Sequence, residues 1–492
     1  MLFSNLLQKI EYTNPVWDCE INHITNDSRE ARLGSIFVCI KGFATDGHLY
    51  AKKAYENGCR AFICEKNIDL PSDASVVTVE NSRNALALLS CELYGNPSSK
   101  LIVIGITGTK GKTTTALMIK QMLDSVGLPC GYIGSNGVIY GNVRIDAQNT
   151  TPESYKLQSF MNDMLKSGMK AVAMEVSSQA LKLNRVLGVS FDITLFTNLS
   201  PDHIGPGEHD SFEDYFNTKK QLFDNFKCKA VIANADDPFT EKMLADCKSK
   251  TLFYSINAPS NYKAEAIELY RTDAFLGMKF NCKISNINPL CTLSIPGDFN
   301  VHNALSCIAV ADVLEIEPQT AIKSLSNMQI EGRFEVIHTE NGACFVIDYA
   351  HNGLSLESAL NALRKYEPNR LICLFGSVGC RTQIRRTQMG RVASALADFS
   401  ILTSDNPATE DPMQIISEIA FEYDNPNSYI AIPDRKEAIK YAYEIAQKGD
   451  IILLAGKGHE RYQLIGLDKL PFCEREIIED CKSMSYYLKS TK

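Results

Sequence analysis

Short apolar runs recur along this chain, and each ends in a glycine-rich or polar cluster. "LIVIGITG" ends in a glycine loop, "KAVAMEVSS" in Glu175 and two serines, and "FDITLFTNLSPDH" in Asn198, Asp202 and His203. "KAVIANADD", "ACFVIDYAH", "LICLFGSVG", "FSILTSDNP" and "DIILLAGKGHE" repeat the arrangement. Near-continuous apolar strands separated by helical stretches predict parallel sheets covered on both faces. Ligands of such sheets gather beyond the carboxyl ends of the strands, which is where these clusters fall. The expected class is therefore α/β.

The clusters fall into two sets, one in residues 99–330 and one in 331–492, with a seam near "MQIEGRFEVI". Ahead of them, residues 1–98 form a block closed by "YGNPSSK", whose Gly, Pro and Ser content predicts a linker. Three domains suit a chain of 492 residues, given the usual domain size. The net charge is 50 − 58 = −8, and no basic block stands out, so nucleic acid is not an expected partner. Sixteen cysteines are scattered without a C-x-x-C pair, which predicts free thiols in a reducing cytoplasm rather than a zinc or disulfide framework. No apolar run is long enough to span a bilayer, so no membrane insertion is expected.

The most informative cluster is "GITGTKGKTTT", residues 105–115. It has strand, glycine turn and helix in the order of a phosphate loop, but the common pattern G-x-x-x-x-G-K-[ST] fails at Ile106. The following "TTTALMIKQMLDSVG" places Ala116, Ile119 and Leu123 on one helical face, with Gly127 as the expected C-cap. Backbone N–H groups over Thr107, Gly108, Thr109, Lys110 and Gly111 would hold phosphate oxygens at the helix N-terminus. Lys112 would reach the terminal phosphates and the Thr113 hydroxyl would sit on Mg²⁺.

"TGTKGKTT" fits a shorter form, G-x-x-G-K-T, and resembles the loop of the Mur ligases and folylpolyglutamate synthases. Further motifs follow in the order of that family: "NTTPES", "MEVSSQAL", "FTNLSPDHI", "NADDP", "PGDFNVHNAL", "EGRFE", "DYAH", "TSDNPATEDP" and "LAGKGHE". In the first block "NDSREARLGSIFVCIKGFATDGH" is similar to the UDP-sugar domain of the members that add the third peptide residue. The resemblance implies an N-terminal UDP-sugar-binding α/β domain, a central ATPase domain with a parallel sheet and a C-terminal Rossmann-like domain. It also implies a reaction. ATP phosphorylates a carboxylate of UDP-N-acetylmuramoyl-L-alanyl-D-glutamate, and a free diamino acid attacks the acyl phosphate, in a cytoplasmic, monomeric enzyme of cell-wall synthesis.

By position in the family, Glu175 and His203 are expected Mg²⁺ ligands alongside Thr113. Lys219 matches a lysine carried as a carbamate (N6-carboxylysine) that supports the metal; taken alone, Lys219 beside Lys220 reads as a solvated helix face. Asn303, Arg333 and Asp348 are the implied adenine and ribose contacts. Asn149, Thr150, Thr151, Ser177 and Arg185 would grip the muramoyl dipeptide, and Ser28 the nucleotide end. Where relatives often carry Gln, two before Arg185, this chain has Leu183. In the last domain Arg381 is the implied clamp on the amino acid's α-carboxylate, although the usual Gly-Asp-Arg-Asp reads Gly379-Cys380-Arg381-Thr382 here. Asp405, Asn406, Pro407, Ala408, Gly456 and Glu460 complete the amino-acid site.

Two other readings compete. A GTP switch would use "DHIG" and "NADD", but Ala235 stands where a lysine should pack on guanine, and nothing after residue 240 is explained. A folylpolyglutamate synthase has no counterpart to the block of residues 1–98. Within the family, members that add meso-diaminopimelate read Asp-Asn-Pro-Arg where this chain has Asp405-Asn406-Pro407-Ala408. Without that guanidinium the second carboxylate lacks a bidentate partner, so the expected amino acid is L-lysine, its ammonium met by Asp405 or Glu460. meso-Diaminopimelate, then L-ornithine, are the alternatives, with Arg385 or Arg386 as substitute cations.

Overall fold

The apolar runs become buried strands because their side chains have no solvated face to turn to. Ile102–Thr107, Ala171–Glu175, Ile193–Phe196 and Ala230–Asn234 are buried along almost their whole length, as parallel strands covered by helices on both faces should be. The structure, a computed structural model, describes every residue except Pro15, Ala44, Ala147, Pro206, Thr491 and Lys492, and only the backbone of residues 484–490. It divides into two compact units, residues 1–261 with 306–317, and residues 262–305 with 318–492.

In the first unit a small parallel sheet pairs His23–Thr25, Ser35–Val38, Ala61–Cys64 and Ser75–Thr78 in chain order. The larger sheet places Ile102–Thr107 between Ile193–Phe196 and Ala171–Glu175, all parallel. Ala230–Asn234 and Thr251–Ser255 extend one side; Cys130–Gly134 and an antiparallel ribbon of Gly137–Tyr140 and Val143–Ile145 extend the other. The strand order is crossed over at Ile102–Thr107, so its carboxyl end faces a topological switch point, the position where open α/β sheets bind ligands.

"YGNPSSK" is not a free linker. Pro97 and Ser98 are buried in a short 3₁₀ turn, Pro97–Lys100, and Ser98 Oγ accepts from Ser190 N at 3.1 Å. The Gly, Pro and Ser content that predicts a linker builds a turn instead, with Pro97 and Ser98 buried and Ser98 bonded to Ser190.

The second unit holds a six-stranded sheet in the order Glu335–His338, Cys344–Asp348, Ile451–Ala455, Leu371–Phe375, Phe399–Leu402, Tyr429–Ala431. All pairs are parallel except the first. It also contains a long antiparallel hairpin, Tyr262–Thr272 with Phe275–Ile284, joined by Leu290–Leu293. Side chains of Phe275–Ile284 largely alternate between buried and half-buried, the pattern of a sheet with one wetter face.

Candidate functional site

The glycine turn takes its shape from Gly108, whose φ is +146°, and a Cβ there would lie 1.9 Å from Thr197 Oγ1. Only glycine fits, which lets the backbone fold over the end of its strand. The helix Lys112–Ser125 starts directly afterwards; Ala116, Ile119 and Leu123 are fully buried, and Gly127 has φ +79° at its end. Lys112 Nζ donates to Gly108 O at 2.8 Å and Thr109 O at 3.0 Å. Thr109 Oγ1 lies 3.2 Å from Ser200 O and 3.2 Å from the Tyr215 hydroxyl. Lys110 N donates to Asn198 Oδ1 at 2.9 Å, and Lys110 Nζ lies 3.8 Å from Asp202 Oδ2. Thr107 and Thr113 are buried.

Glu175 ends the neighbouring strand and pairs in register with Ile106. Its carboxylate is buried, accepting from the Tyr132 hydroxyl at 2.7 Å and from Ser135 N at 2.9 Å. Neither donor stood out in the sequence, because their role depends on a strand pairing that brings residues forty positions apart together.

Lys219 does not lie on a solvated face. It is 1% exposed, while the adjacent Lys220 pairs with Asp224 and Asp246 at the surface. Lys219 Nζ donates to Gly108 O at 3.0 Å and sits 4.7 Å from the centre of the Tyr215 ring. Burial, and then the Lys112 charge beside it, hold this amine well below the ordinary lysine range. His203 is half exposed in left-handed backbone, φ +56°, with Nδ1 3.2 Å from Glu208 Oε1. Among the described residues no group of three His, Cys, Asp or Glu side chains is placed to hold a metal; the expected set contains only two, Glu175 and His203.

On the same edge, Thr151 Oγ1 donates to Glu175 O at 2.8 Å and accepts from Ser177 N at 3.0 Å. Thr150 Oγ1 is 3.0 Å from Ser135 Oγ, and Asn149 is exposed. Arg185 is oriented by Glu153, at 2.7 Å, and Thr151 O, at 3.1 Å. It shares with Ser28 a cavity of about 620 Å³ that Phe43, Arg83, Gln179 and Leu183 also line. Arg83 and Gln179 were not anticipated: they lie far apart in sequence, and each alone reads as a surface residue.

The other expected nucleotide contacts lie in the second unit. Asn303 donates to Asn300 Oδ1 at 2.9 Å. The Arg333 guanidinium covers the Tyr349 ring at 4.9 Å. Asp348 Oδ2 accepts from Phe334 N at 3.0 Å. Burial pushes the Asp348 carboxyl up to about 6 against the opposing pull of Arg333.

In the amino-acid cluster, a Cβ at Gly456 would sit 2.7 Å from Asp405 Oδ2, so glycine permits the carboxylate's close approach. Lys457 is fully buried, with Nζ 2.8 Å from Asn406 Oδ1, 2.9 Å from Glu460 Oε2 and 3.7 Å from Asp405 Oδ1. Both carboxylates expected to meet a substrate ammonium therefore already face an internal one. Ala408 has φ +52° and exchanges backbone hydrogen bonds with Leu464 and Gly466. Arg386 is not a spare cation: it is buried and held by Glu410 and Glu418. Arg381 and Arg385 are exposed.

A glycine turn running into a helix at the switch point of a parallel sheet, with a second, largely parallel sheet later in the chain, defines a modular α/β protein. Known proteins agree and go further. Three family models match in order: "Mur ligase family, catalytic domain" over residues 20–93, "Mur ligase middle domain" over 106–311, and "Mur ligase, glutamate ligase domain" over 332–458. The chain belongs to the Mur ligase family. It is 41% identical over 468 residues, 94% of this chain and 95% of the other, to the UDP-N-acetylmuramoyl-L-alanyl-D-glutamate–2,6-diaminopimelate ligase of Clostridium botulinum. A protein of the same name from Caldanaerobacter subterraneus is 42% identical over 462 residues, 94% of each chain. A solved structure of a ligase so named superposes with a TM-score of 0.72 at 28% identity, covering 99% of both chains. These names favour the diaminopimelate alternative over the L-lysine expected from Ala408.

Proposed function

We infer that the protein joins 2,6-diaminopimelate to UDP-N-acetylmuramoyl-L-alanyl-D-glutamate at the expense of ATP, as a cytoplasmic enzyme of peptidoglycan-precursor synthesis. The observation that carries this reading is the buried Lys219 against Gly108 of the phosphate loop, beside the strand that ends in Glu175. The loop amides and Lys112 would bind the phosphates of ATP and stabilise the charge on the transferring group. A carboxylate of the muramoyl dipeptide, held near Thr151, Ser177 and Arg185, would attack the terminal phosphorus and release ADP. The amine of the incoming amino acid would then attack the acyl carbon and release phosphate.

Thr113, Glu175, His203 and a carbamylated Lys219 are the residues that would hold Mg²⁺, which supplies charge neutralisation among crowded phosphates. Three of the four donors suit a hard cation, as hydroxyl, buried carboxylate and carbamate oxygens; the His203 imidazole is the one nitrogen donor. Carbamylation suits Lys219 because only the neutral amine adds to CO₂, and burial favours the neutral form. In that step the N–C bond forms and the nitrogen releases a proton.

L-lysine remains the second reading, favoured by Ala408. Diaminopimelate brings a second carboxylate, and loss of one partner from a buried charge pair costs about 2–5 kcal/mol, or between about one and four decades in selectivity. Lys457 already engages Asp405 and Glu460, which weakens their hold on the distal ammonium of either amino acid alike. Of the substitute cations for the second carboxylate, exposed Arg385 is in the same unit, whereas Arg386 is held by Glu410 and Glu418.

The test incubates the pure protein with ATP, Mg²⁺, UDP-N-acetylmuramoyl-L-alanyl-D-glutamate and each diamino acid in turn, and reads product masses. Diaminopimelate is expected to give the largest kcat/KM. A wild type that prefers lysine transfers the assignment to the second reading, and Ala408→Arg should then narrow the gap. No product with any amino acid would overturn both.

A further inference from the structure

The implied α-carboxylate clamp, Arg381, stands between Cys380 and Thr382, where the family resemblance implies acidic residues, and another loop supplies a carboxylate at this turn. Gly379 and Cys380 are fastened to residues 406–410 at adjacent points. Gly379 N donates to Asn406 O at 2.9 Å, and a Cβ on Gly379 would lie 1.9 Å from Pro407 O, so the two backbones pack too closely for any other residue. Cys380 adopts φ +57°, a strained conformation for a residue with a side chain, which persists only where surrounding contacts hold it. Cys380 N donates to Glu410 Oε2 at 2.9 Å, and Cys380 Sγ lies 3.3 Å from Thr409 Oγ1.

Glu410 is itself fixed. Its two oxygens meet the two terminal nitrogens of Arg386, each at 2.7 Å, in the bidentate geometry that guanidinium and carboxylate favour. Arg386 is 1% exposed and donates a third bond, 2.8 Å, to Glu418 Oε2. Arg386 and the Cys380 amide together hold the Glu410 carboxyl below its ordinary range, so it stays ionised. Arg381 follows immediately, exposed to solvent.

We propose that Glu410 is a positioning residue for the incoming amino acid: anchored by buried Arg386, it holds Cys380 in left-handed backbone and thereby aims Arg381. The inference rests on the reading of Arg381 as the α-carboxylate clamp. Glu410 orients the turn through the backbone, by its bond to the Cys380 amide.

Glu418 supplies an internal control, because it shares Arg386 but makes no hydrogen bond to residues 379–381. Steady-state kinetics are measured for wild type, Glu410→Ala, Glu410→Asp and Glu418→Ala, varying each substrate separately, with thermal melts alongside. Glu410→Ala should raise KM for the amino acid about tenfold or more while KM for ATP and for the muramoyl dipeptide stay within about twofold. Glu418→Ala should lower Tm but leave the amino-acid KM within about twofold. Should Glu410→Ala fail to fold, Glu410→Asp decides, since it keeps the charge for Arg386 but withdraws the carboxylate one methylene from Cys380 N. An unchanged amino-acid KM in the Glu410 variants, or an equal rise in Glu418→Ala, overturns the proposal. Wild type inactive with every diamino acid would instead overturn the underlying functional reading.

Discussion

Lys219 shows how much one side chain's surroundings decide. In the sequence it is one of two adjacent lysines on a helix; in the fold Lys220 reaches acidic partners at the surface while Lys219 lies against the phosphate loop. With ¹³C-bicarbonate, a carbamate resonance is expected near neutral and alkaline pH, and Lys219→Ala should abolish both it and turnover. A short-chain carboxylic acid should restore part of the activity; a fully active Lys219→Ala protein would sink the assignment. Lys112→Ala should lose product formation while the protein still folds, because the ammonium, which donates to the loop carbonyls of Gly108 and Thr109, is placed to stabilise charge on the transferring phosphate. Asp348 carries a pH signature. Its carboxyl is raised to about 6 in the folded chain from an ordinary 3.8, so its contribution to stability falls as pH rises from about 4 to about 6. Asp348→Asn should therefore gain most in Tm relative to wild type above pH 6, and the gain should shrink below it, while KM for ATP rises. A Tm difference independent of pH would refute this.

At the scale of elements, a fully buried ion pair helps tie the start of the last helix to the second sheet, beside the partly exposed Arg475–Glu335 pair. Arg435, first residue of the helix Arg435–Ile445, is 1% exposed, and its nitrogens donate to Ser404 O at 3.2 Å, Ala455 O at 2.9 Å and Glu474 Oε1 at 2.9 Å. It thus joins the ends of two parallel strands to the start of the helix Glu474–Ser490. Removing one partner strands the other charge in the interior, at a cost of about 3–5 kcal/mol. Glu474→Ala should lose stability of that order in urea titrations, whereas the exposed pair Lys448–Asp273 should contribute no more than about 1 kcal/mol. Equal effects at both pairs would contradict the burial argument. Elements also mark where pattern reading succeeded. Continuous apolar runs give parallel strands, as expected, but the hairpin of Tyr262–Thr272 and Phe275–Ile284 was not anticipated, since its polar-apolar alternation lacks the continuous runs that marked the other strands.

For the whole molecule, the sixteen cysteines are all free. Ten are buried and Cys380 alone is exposed; burial raises the thiols of Cys59, to about 11, and Cys130, to about 12, which leaves little thiolate at neutral pH. A native-state thiol titration should show one fast-reacting group, absent in Cys380→Ser. Up to five further fast thiols would point to the half-buried Cys19, Cys228, Cys247, Cys473 and Cys481, and only a larger number would mean that the buried set opens readily. Among the described residues no helix is long and apolar enough to cross a membrane. ATP with Mg²⁺ should raise the melting temperature, by about 2.7 kcal/mol of stability at a hundredfold excess over Kd, and Lys112→Ala should remove most of that shift.

Local chemistry was legible before any coordinates. The α/β class, the glycine turn and its helix, the caps and the order of motifs follow from residues near one another in the chain, because strand burial, capping and φ > 0 are short-range constraints. What the residues do together was decided by tertiary structure. "YGNPSSK" reads as a linker until Ser98 is seen bonded to Ser190, and Lys457 reads as one lysine in a glycine loop until it is seen buried between Asp405 and Glu460. Arg386, a candidate free cation by sequence, is consumed by Glu410 and Glu418. Burial and ion pairing depend on which distant segments meet, and a local pattern carries no record of that.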